Sequence, residues 1–112
     1  MSPVQKFISD LKAEGFRVWI PGGSGSWVYF SFNDQLGYAT YSQINAWEFI
    51  TVHVPCIEYG TGFRYAHLIN YNLTEYAKNC CQTSVPYGFG TCKVQKWKLE
   101  SWIKKNPTMK EV

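Results

Sequence analysis

At 112 residues the chain has room for one domain and one core, with no space for a second. Apolar residues at 46% against 17% charged exclude a disordered polar chain, and no apolar run approaches the ~18 residues needed to span a bilayer. The net charge of +3 is unevenly placed: residues 92–112 carry Lys93, Lys96, Lys98, Lys104, Lys105 and Lys110 against Glu100 and Glu111, so this tail is +4 and residues 1–91 are −1. A charge of this size does not by itself mark a nucleic-acid binder, and it argues against an acidic DNA mimic.

The chain starts Met1-Ser2-Pro3 and runs into an amphipathic segment, with no basic start, apolar stretch or small-residue cleavage site. It therefore reads as a cytoplasmic protein without a membrane partner. In that compartment Cys56, Cys80, Cys81 and Cys92 are expected as reduced thiols.

The first helix is marked by mutually consistent signals. Ser2 can cap, Pro3 suits the first helical position and Gln5 completes a capping box, while Val4, Phe7, Ile8 and Leu11 repeat at i, i+3, i+4 and i+7. Gly15 ends it as the residue after the C-cap. Phe16 to Ile20 alternates Phe, Val and Ile with Arg17 and Trp19, which predicts a strand closed by Pro21.

Gly22 to Ser26 invites comparison with phosphate-cradling loops, but no Lys-Ser or Lys-Thr follows and the next element is a strand rather than a helix. It reads as a flexible strand connection. Trp27 to Phe32 then places Trp27, Tyr29 and Ser31 on one face, with Val28, Phe30 and Phe32 on the core face. Asn33 to Gly37 has turn chemistry, with Gly37 available for positive φ, and Tyr38 to Gln43 returns as the partner strand. Trp47 to Val54 is a third strand, carrying Trp47, Phe49, Thr51 and His53 on one side and Glu48, Ile50, Val52 and Val54 on the other.

Gly60 to Phe63 is a bend before a short strand at Arg64 to His67. Asn72 and Glu75 then mark a helix with Leu73, Tyr76, Ala77 and Cys80 at helical spacing. Pro86 to Gly90 reads as a loop, Thr91 to Trp97 as an edge strand, and Lys98 to Lys105 as a last helix using Leu99, Trp102 and Ile103, stopped by Asn106-Pro107. The predicted architecture is a single α+β domain over residues 1–112. Its antiparallel sheet of four to five strands has N-terminal, middle and C-terminal helices packed on it.

Thirteen of the twenty Phe, Tyr and Trp residues lie between Phe16 and Tyr65, more than one small sheet can hide on its inner face. The surplus predicts a binding surface built from Trp27, Tyr29, Tyr38, Tyr41, Trp47, His53, Phe63 and Arg64. These are residue types that dominate protein–protein hot spots.

Chemistry-bearing residues are sparse. His53 and Cys56 have the spacing of a metal-binding pair, but the other thiols include the adjacent Cys80 and Cys81, which project in different directions, so no metal or cofactor is expected. No nucleophile and base can be paired from spacing alone, so no catalytic residue is named and the chain reads as a non-enzyme.

The string F-S-x(5)-G-Y-x-x-Y ending at Tyr41, the F-x-T-V-H-x-P pattern of Phe49 to Pro55 and G-T-G-F at Gly60 to Phe63 together resemble small accessory proteins of phages and conjugative plasmids, over about a third of the chain. The resemblance brings no active site. It implies a setting, a mobile-element gene whose product binds and inhibits a host protein, such as a nucleic-acid-acting defence complex of the CRISPR-Cas or restriction type. The alternative is single-stranded nucleic-acid binding, with bases stacked on the aromatics and the backbone on Lys93, Lys96, Lys98, Lys104 and Lys105. A third reading is a nucleotide-sequestering or small enzyme pocket at the glycine-rich loops; a homodimer is compatible with each.

Overall fold

The computed structural model describes residues 3–21, 27–44, 47–54, 57, 63–68, 73–87, 90–96 and 98–112, and for residues 43, 44, 47, 48, 63–68, 86 and 87 it is the backbone that is described. Helix α1 (Pro3–Ala13) buries Phe7 and Leu11 and rests Val4 and Ile8 against the same core. It ends in a Schellman motif. Gly15, at φ +91°, donates its N–H to Lys12 O and Phe16 donates to Leu11 O, which turns the chain so that Phe16 packs beside the helix it has just left.

Strands β1 (Arg17–Ile20), β2 (Trp27–Phe32), β3 (Gln35–Ile44), β4 (Trp47–Val54) and β5 (Phe63–Leu68) form the predicted antiparallel meander. Helix α2 (Leu73–Cys80) follows, then the strands β6 (Ser84–Tyr87) and β7 (Gly90–Lys93), helix α3 (Leu99–Lys105) and the two-residue strand β8 (Lys110–Glu111). The sheet order is β5-β4-β3-β2-β1-β8, and β6 with β7 makes a separate two-stranded sheet. The architecture is α+β, as the sequence predicts. No helix among the described residues is long and apolar enough to cross a membrane.

The inner face of the sheet supplies Val18, Val28, Phe30, Ala39, Ile50, Val52 and Val54 to the core. Helix α1 adds its two buried residues, α2 adds Leu73, Ala77 and Cys80, and the small sheet with the residue after it adds Val85, Cys92 and Val94. Each fully buried aliphatic or aromatic side chain is worth about 1.5–3 kcal/mol of transfer free energy. Phe30 lies at the centre, fully buried, meeting the rings of Phe7 at 6.5 Å and Phe16 at 5.7 Å edge to face.

Several local expectations are corrected. The β2–β3 turn is made by Asn33 and Asp34, at φ 53° and 62°, as a two-residue hairpin loop in which both central residues take positive φ. Gly37 is a strand residue opposite Phe30, and its role is space: a Cβ there would stand 2.6 Å from Phe30 Cε2 and 2.7 Å from Cys80 Cβ. Pro86 and Tyr87 belong to β6 instead of a loop, and the strand predicted over Thr91 to Trp97 ends at Lys93 and pairs with β6, away from the main sheet. In α3, Leu99 is buried and Trp102 half-buried, but Ile103 is 38% exposed. Trp19 is buried against α3, not displayed beside Arg17.

Strand β8 has no counterpart in the sequence reading. It pairs with β1, and Val112 N–H donates to Val18 O at 2.8 Å. Arg17 then grips Glu111 through two hydrogen bonds, Nε at 2.9 Å and Nη2 at 2.7 Å.

Gly37→Ala should destabilise the fold by about 1–3 kcal/mol, because the methyl collides with a core ring and a helix residue that have no room to yield. Chemical denaturation reads it; an unchanged midpoint would show that Phe30 repacks freely. The Arg17 guanidinium holds the Glu111 carboxyl below its ordinary value of 4.5. The pair therefore stabilises the fold above that value, and its contribution is lost as pH falls through the folded-state value. Glu111→Gln should accordingly be slightly less stable than the parent at about pH 7 and indistinguishable from it at about pH 2, measured by urea midpoints across that range.

Candidate binding face

The outer face of the sheet is divided in two by α3. At the β1–β2 end, Trp19, Leu36 and Leu99 are buried together, with Tyr29, Trp102 and Met109 packed around them. Trp102 reaches Trp19 at 6.0 Å and Tyr29 at 4.9 Å, and Asn106 Nδ2 donates to Trp102 O at 2.9 Å. Ser31, which shares this face and pairs with Leu36, is buried here too. This half is core.

The other half carries Trp27 at the start of β2, Tyr38 and Thr40 on β3, and Thr51 and His53 on β4. Trp27 is 40% exposed, and the other four are half-buried. Tyr38 is the cross-strand partner of both Tyr29 and His53, so strand pairing alone aligns three rings across the sheet. His53 stacks on Tyr38 at 4.4 Å and 11°, Trp27 stacks on Tyr38 at 5.6 Å and 27°, and Trp27 lies 6.5 Å from Tyr29 at 14°.

Because β2 and β4 flank β3, Tyr38 is held between Trp27 and His53 and both faces of its ring are taken. His53 Nε2 and Thr40 Oγ1 share a hydrogen bond at 3.1 Å, which fixes the imidazole orientation. Burial, with the neighbouring Tyr38 second, pushes the Tyr29 hydroxyl above its ordinary value, so it stays protonated at neutral pH.

The residues named from sequence divide accordingly. Trp27, Tyr29, Tyr38 and His53 come together. Tyr41 does not: it is three residues from Tyr38 on the same strand, hence on the opposite face, and packs against the inner core beside Val4, Phe7, Val28 and Ile50. The backbone of Trp47 pairs with Ile44 at the far end of the β3–β4 pair, Phe63 pairs with Val54, and Arg64 pairs with His53, one strand beyond the end of the row. The Gly22 to Ser26 loop, and residues 60–62 of the second glycine-rich bend, lie outside the described residues.

The lysines split as well. Lys98, Lys104 and Lys105 are exposed on or next to α3, on the same side of the sheet as the aromatic row, since Trp102 of that helix packs on Tyr29. Lys93 and Lys96 instead line an open groove of about 680 Å³ with Ile57, Thr83, Ser84, Thr91 and Val94, on the side of the small sheet. Sequence reasoning missed Trp102, Trp19 and Thr40. The Leu99-Trp102 spacing gave α3 an apolar side, but nothing in it shows which face of the sheet that side covers.

The thiols of Cys80 and Cys81 are engaged within the fold. Cys80 is buried and donates its S–H to His53 O at 2.7 Å, and burial raises it well above the ordinary thiol value. Cys81 donates to Gln35 O at 3.5 Å and is pushed up to about 11, again by burial. The expectation of reduced thiols fails at Cys92, which is disulfide-bonded, while Cys80 and Cys81 are free. Of the paired residues His53 and Cys56, the second lies outside the described residues.

Compared with protein-family models, with curated proteins and with solved structures, the chain matches none.

With its thiol shifted to about 11, Cys81 should alkylate with iodoacetamide at pH 8 at least ten times more slowly than an unfolded control peptide. Mass spectrometry of timed quenches measures this; equal rates would mean that the end of α2 opens readily.

Proposed function

We propose that this chain is a non-enzymatic binding protein that docks the open half of its outer sheet face on a host protein. In the phage or mobile-element setting implied by the resemblance over Tyr29 to Phe63, that host protein belongs to a nucleic-acid-acting defence complex of the CRISPR-Cas or restriction type, met in the host cytoplasm. The observation that carries the reading is the ordered row Trp27, Tyr38 and His53 on a half of the face that α3 leaves open. Stacked rings on paired strands are already immobilised, so docking on them costs little further side-chain entropy. Trp and Tyr at the centre of such a patch are the residue types that concentrate binding energy.

Ring geometry also favours a protein over a single strand. Bases bind by stacking on open ring faces, and the faces of Tyr38 are taken by its neighbours. Single-strand binding remains the second reading because the fold returns Lys104 and Lys105 to the side of the row, where the sequence alone left their position open. The two readings separate by salt. Nucleic-acid affinity would fall steeply with ionic strength, and docking through aromatic side chains would not.

Tagged protein incubated with host lysate should retain a partner that Trp27→Ala releases, with affinity for the identified partner reduced by about 30-fold or more, equivalent to roughly 2 kcal/mol. Because Trp27 is the most exposed ring of the row, the same change should leave the unfolding midpoint nearly unaltered. Retention of the partner by a folded Trp27→Ala protein would sink the proposal. Tight, salt-steep binding of a fluorescent single-stranded oligonucleotide would replace it with the second reading.

A further inference from the structure

The small sheet has one face in the core and one in solvent. Val85 on β6, Cys92 on β7 and Val94 just after it turn inward and join the inner core, so this sheet lies on the side of the main sheet opposite the aromatic row. Its other face presents Ser84, Thr91 and Lys93, all exposed. Ser84 is the cross-strand partner of Lys93, and Thr91 precedes Lys93 by two residues on the same strand, so two hydroxyl side chains neighbour that of the lysine.

Two backbone bonds widen this face beyond the hairpin. Val94 N–H donates to Thr83 O at 3.0 Å, which prolongs the β6 and β7 pairing by one step, and Ile57 N–H donates to Lys93 O at 2.9 Å on the opposite edge of β7. The result is the groove of about 680 Å³ that Thr83, Ile57 and Lys96 also line. Its described lining residues bring two ammonium groups and the hydroxyls of Thr83, Ser84 and Thr91, and no carboxylate. Along β7, alternate side chains such as those of Thr91 and Lys93 stand about 6.6 Å apart, the repeat at which an extended peptide presents its own. Ile57, 58% exposed, offers a seat for one apolar side chain.

We propose that this groove is a second binding site and that its occupant is an acidic peptide segment in extended conformation, with carboxylates on Lys93 and Lys96 and an apolar side chain against Ile57. The three hydroxyls donate to the same carboxylates. Side chains rather than backbone read the segment, because the edge carbonyl of Lys93 is already bonded to Ile57. A single-stranded nucleic acid would find cations here but, among the described lining residues, no aromatic ring for its bases. A lone inorganic anion would use the lysines and leave Ile57 without a contact. The site is independent of the docking proposal, since none of its residues belongs to the aromatic row.

The test titrates the full chain into a fluorescein-labelled decapeptide, rich in glutamate with one central leucine, and follows anisotropy at low and at physiological salt. Binding that weakens as salt rises is expected, and Lys93→Glu with Lys96→Glu should weaken it by about tenfold or more. Lys104→Glu with Lys105→Glu makes the same change in net charge on the other side of the main sheet and should leave the affinity within about twofold. Replacing the leucine by serine should weaken binding to the parent and have little effect on binding to Ile57→Ser. In the isotopically labelled parent, the amide signals of Ile57, Ser84, Thr91 and Lys93 should shift on adding the peptide, which locates the site without any variant. Equal losses in the two lysine pairs would reduce the effect to diffuse charge and overturn the proposal. So would no binding, equal affinity for a peptide with glutamine in place of glutamate, or shifts confined to other residues. Full competition by inorganic phosphate, or tighter binding of an oligonucleotide of equal charge that the Lys93 and Lys96 changes abolish, would each overturn the peptide assignment.

Discussion

The two-residue turn at Asn33 and Asp34 is the constraint on which the rest of the molecule depends. It pairs Phe32 with Gln35 and so fixes every later pair of β2 and β3, including Phe30 with Gly37 and Tyr29 with Tyr38. Because side chains alternate with period two, a slip of one residue would carry Phe30 out of the core and Tyr29 into it. Positive φ at two consecutive non-glycine residues is costly for most side chains but tolerated by Asn and Asp, whose short polar groups bond locally. Gly37 reinforces the register, because only a residue without a side chain fits between Phe30 and Cys80, and that fit brings α2 down on the inner face.

From that register follows the unusual feature of the outer face. A meander this rich in aromatics cannot place them all inside, and Trp19, Tyr29, Leu36 and Tyr38 emerge on the second side. The chain covers part of the surplus with its own C-terminal segment: Leu99, Trp102 and Met109 close over Trp19 and Leu36, and β8 with the Arg17–Glu111 pair anchors the tail to the edge of the sheet. Arg17 also lies over the Trp19 ring at 4.9 Å, so the same guanidinium serves both contacts. What α3 does not reach is the candidate binding face, and its limits are set by the short length of that helix.

Much of this was legible in the sequence, and the failures have physical reasons. Period-two alternation placed Val28 and Phe30 inside and grouped Ile50, Val52 and Val54 on one side of their strand, because side chains alternate along a strand. Parity also contained the correction to Tyr41, since i and i+3 on a strand point to opposite faces; the shared residue type concealed it. Gly37 was misread because glycine has two uses, positive φ and lack of a side chain, and only the position of Phe30 and Cys80 decides between them. Trp19, β8 and the disulfide at Cys92 rest on contacts between the first strands and the last part of the chain or on pairings through space. Local pattern carries no information on these.

The fold also changes the meaning of the tail charge. As a sequence property it was a lysine-rich segment remote from the aromatics; in three dimensions it divides between two sides of the sheet. Lys98, Lys104 and Lys105 stand on the side of the row, while Lys93 and Lys96 line the groove by the small sheet. By contrast, α1 and α2 balance their charges through Lys6 with Asp10 and Lys78 with Glu14. Exposed pairs of that kind add little stability. If the row docks on a partner as proposed, the cations beside it would act on approach rather than on final affinity.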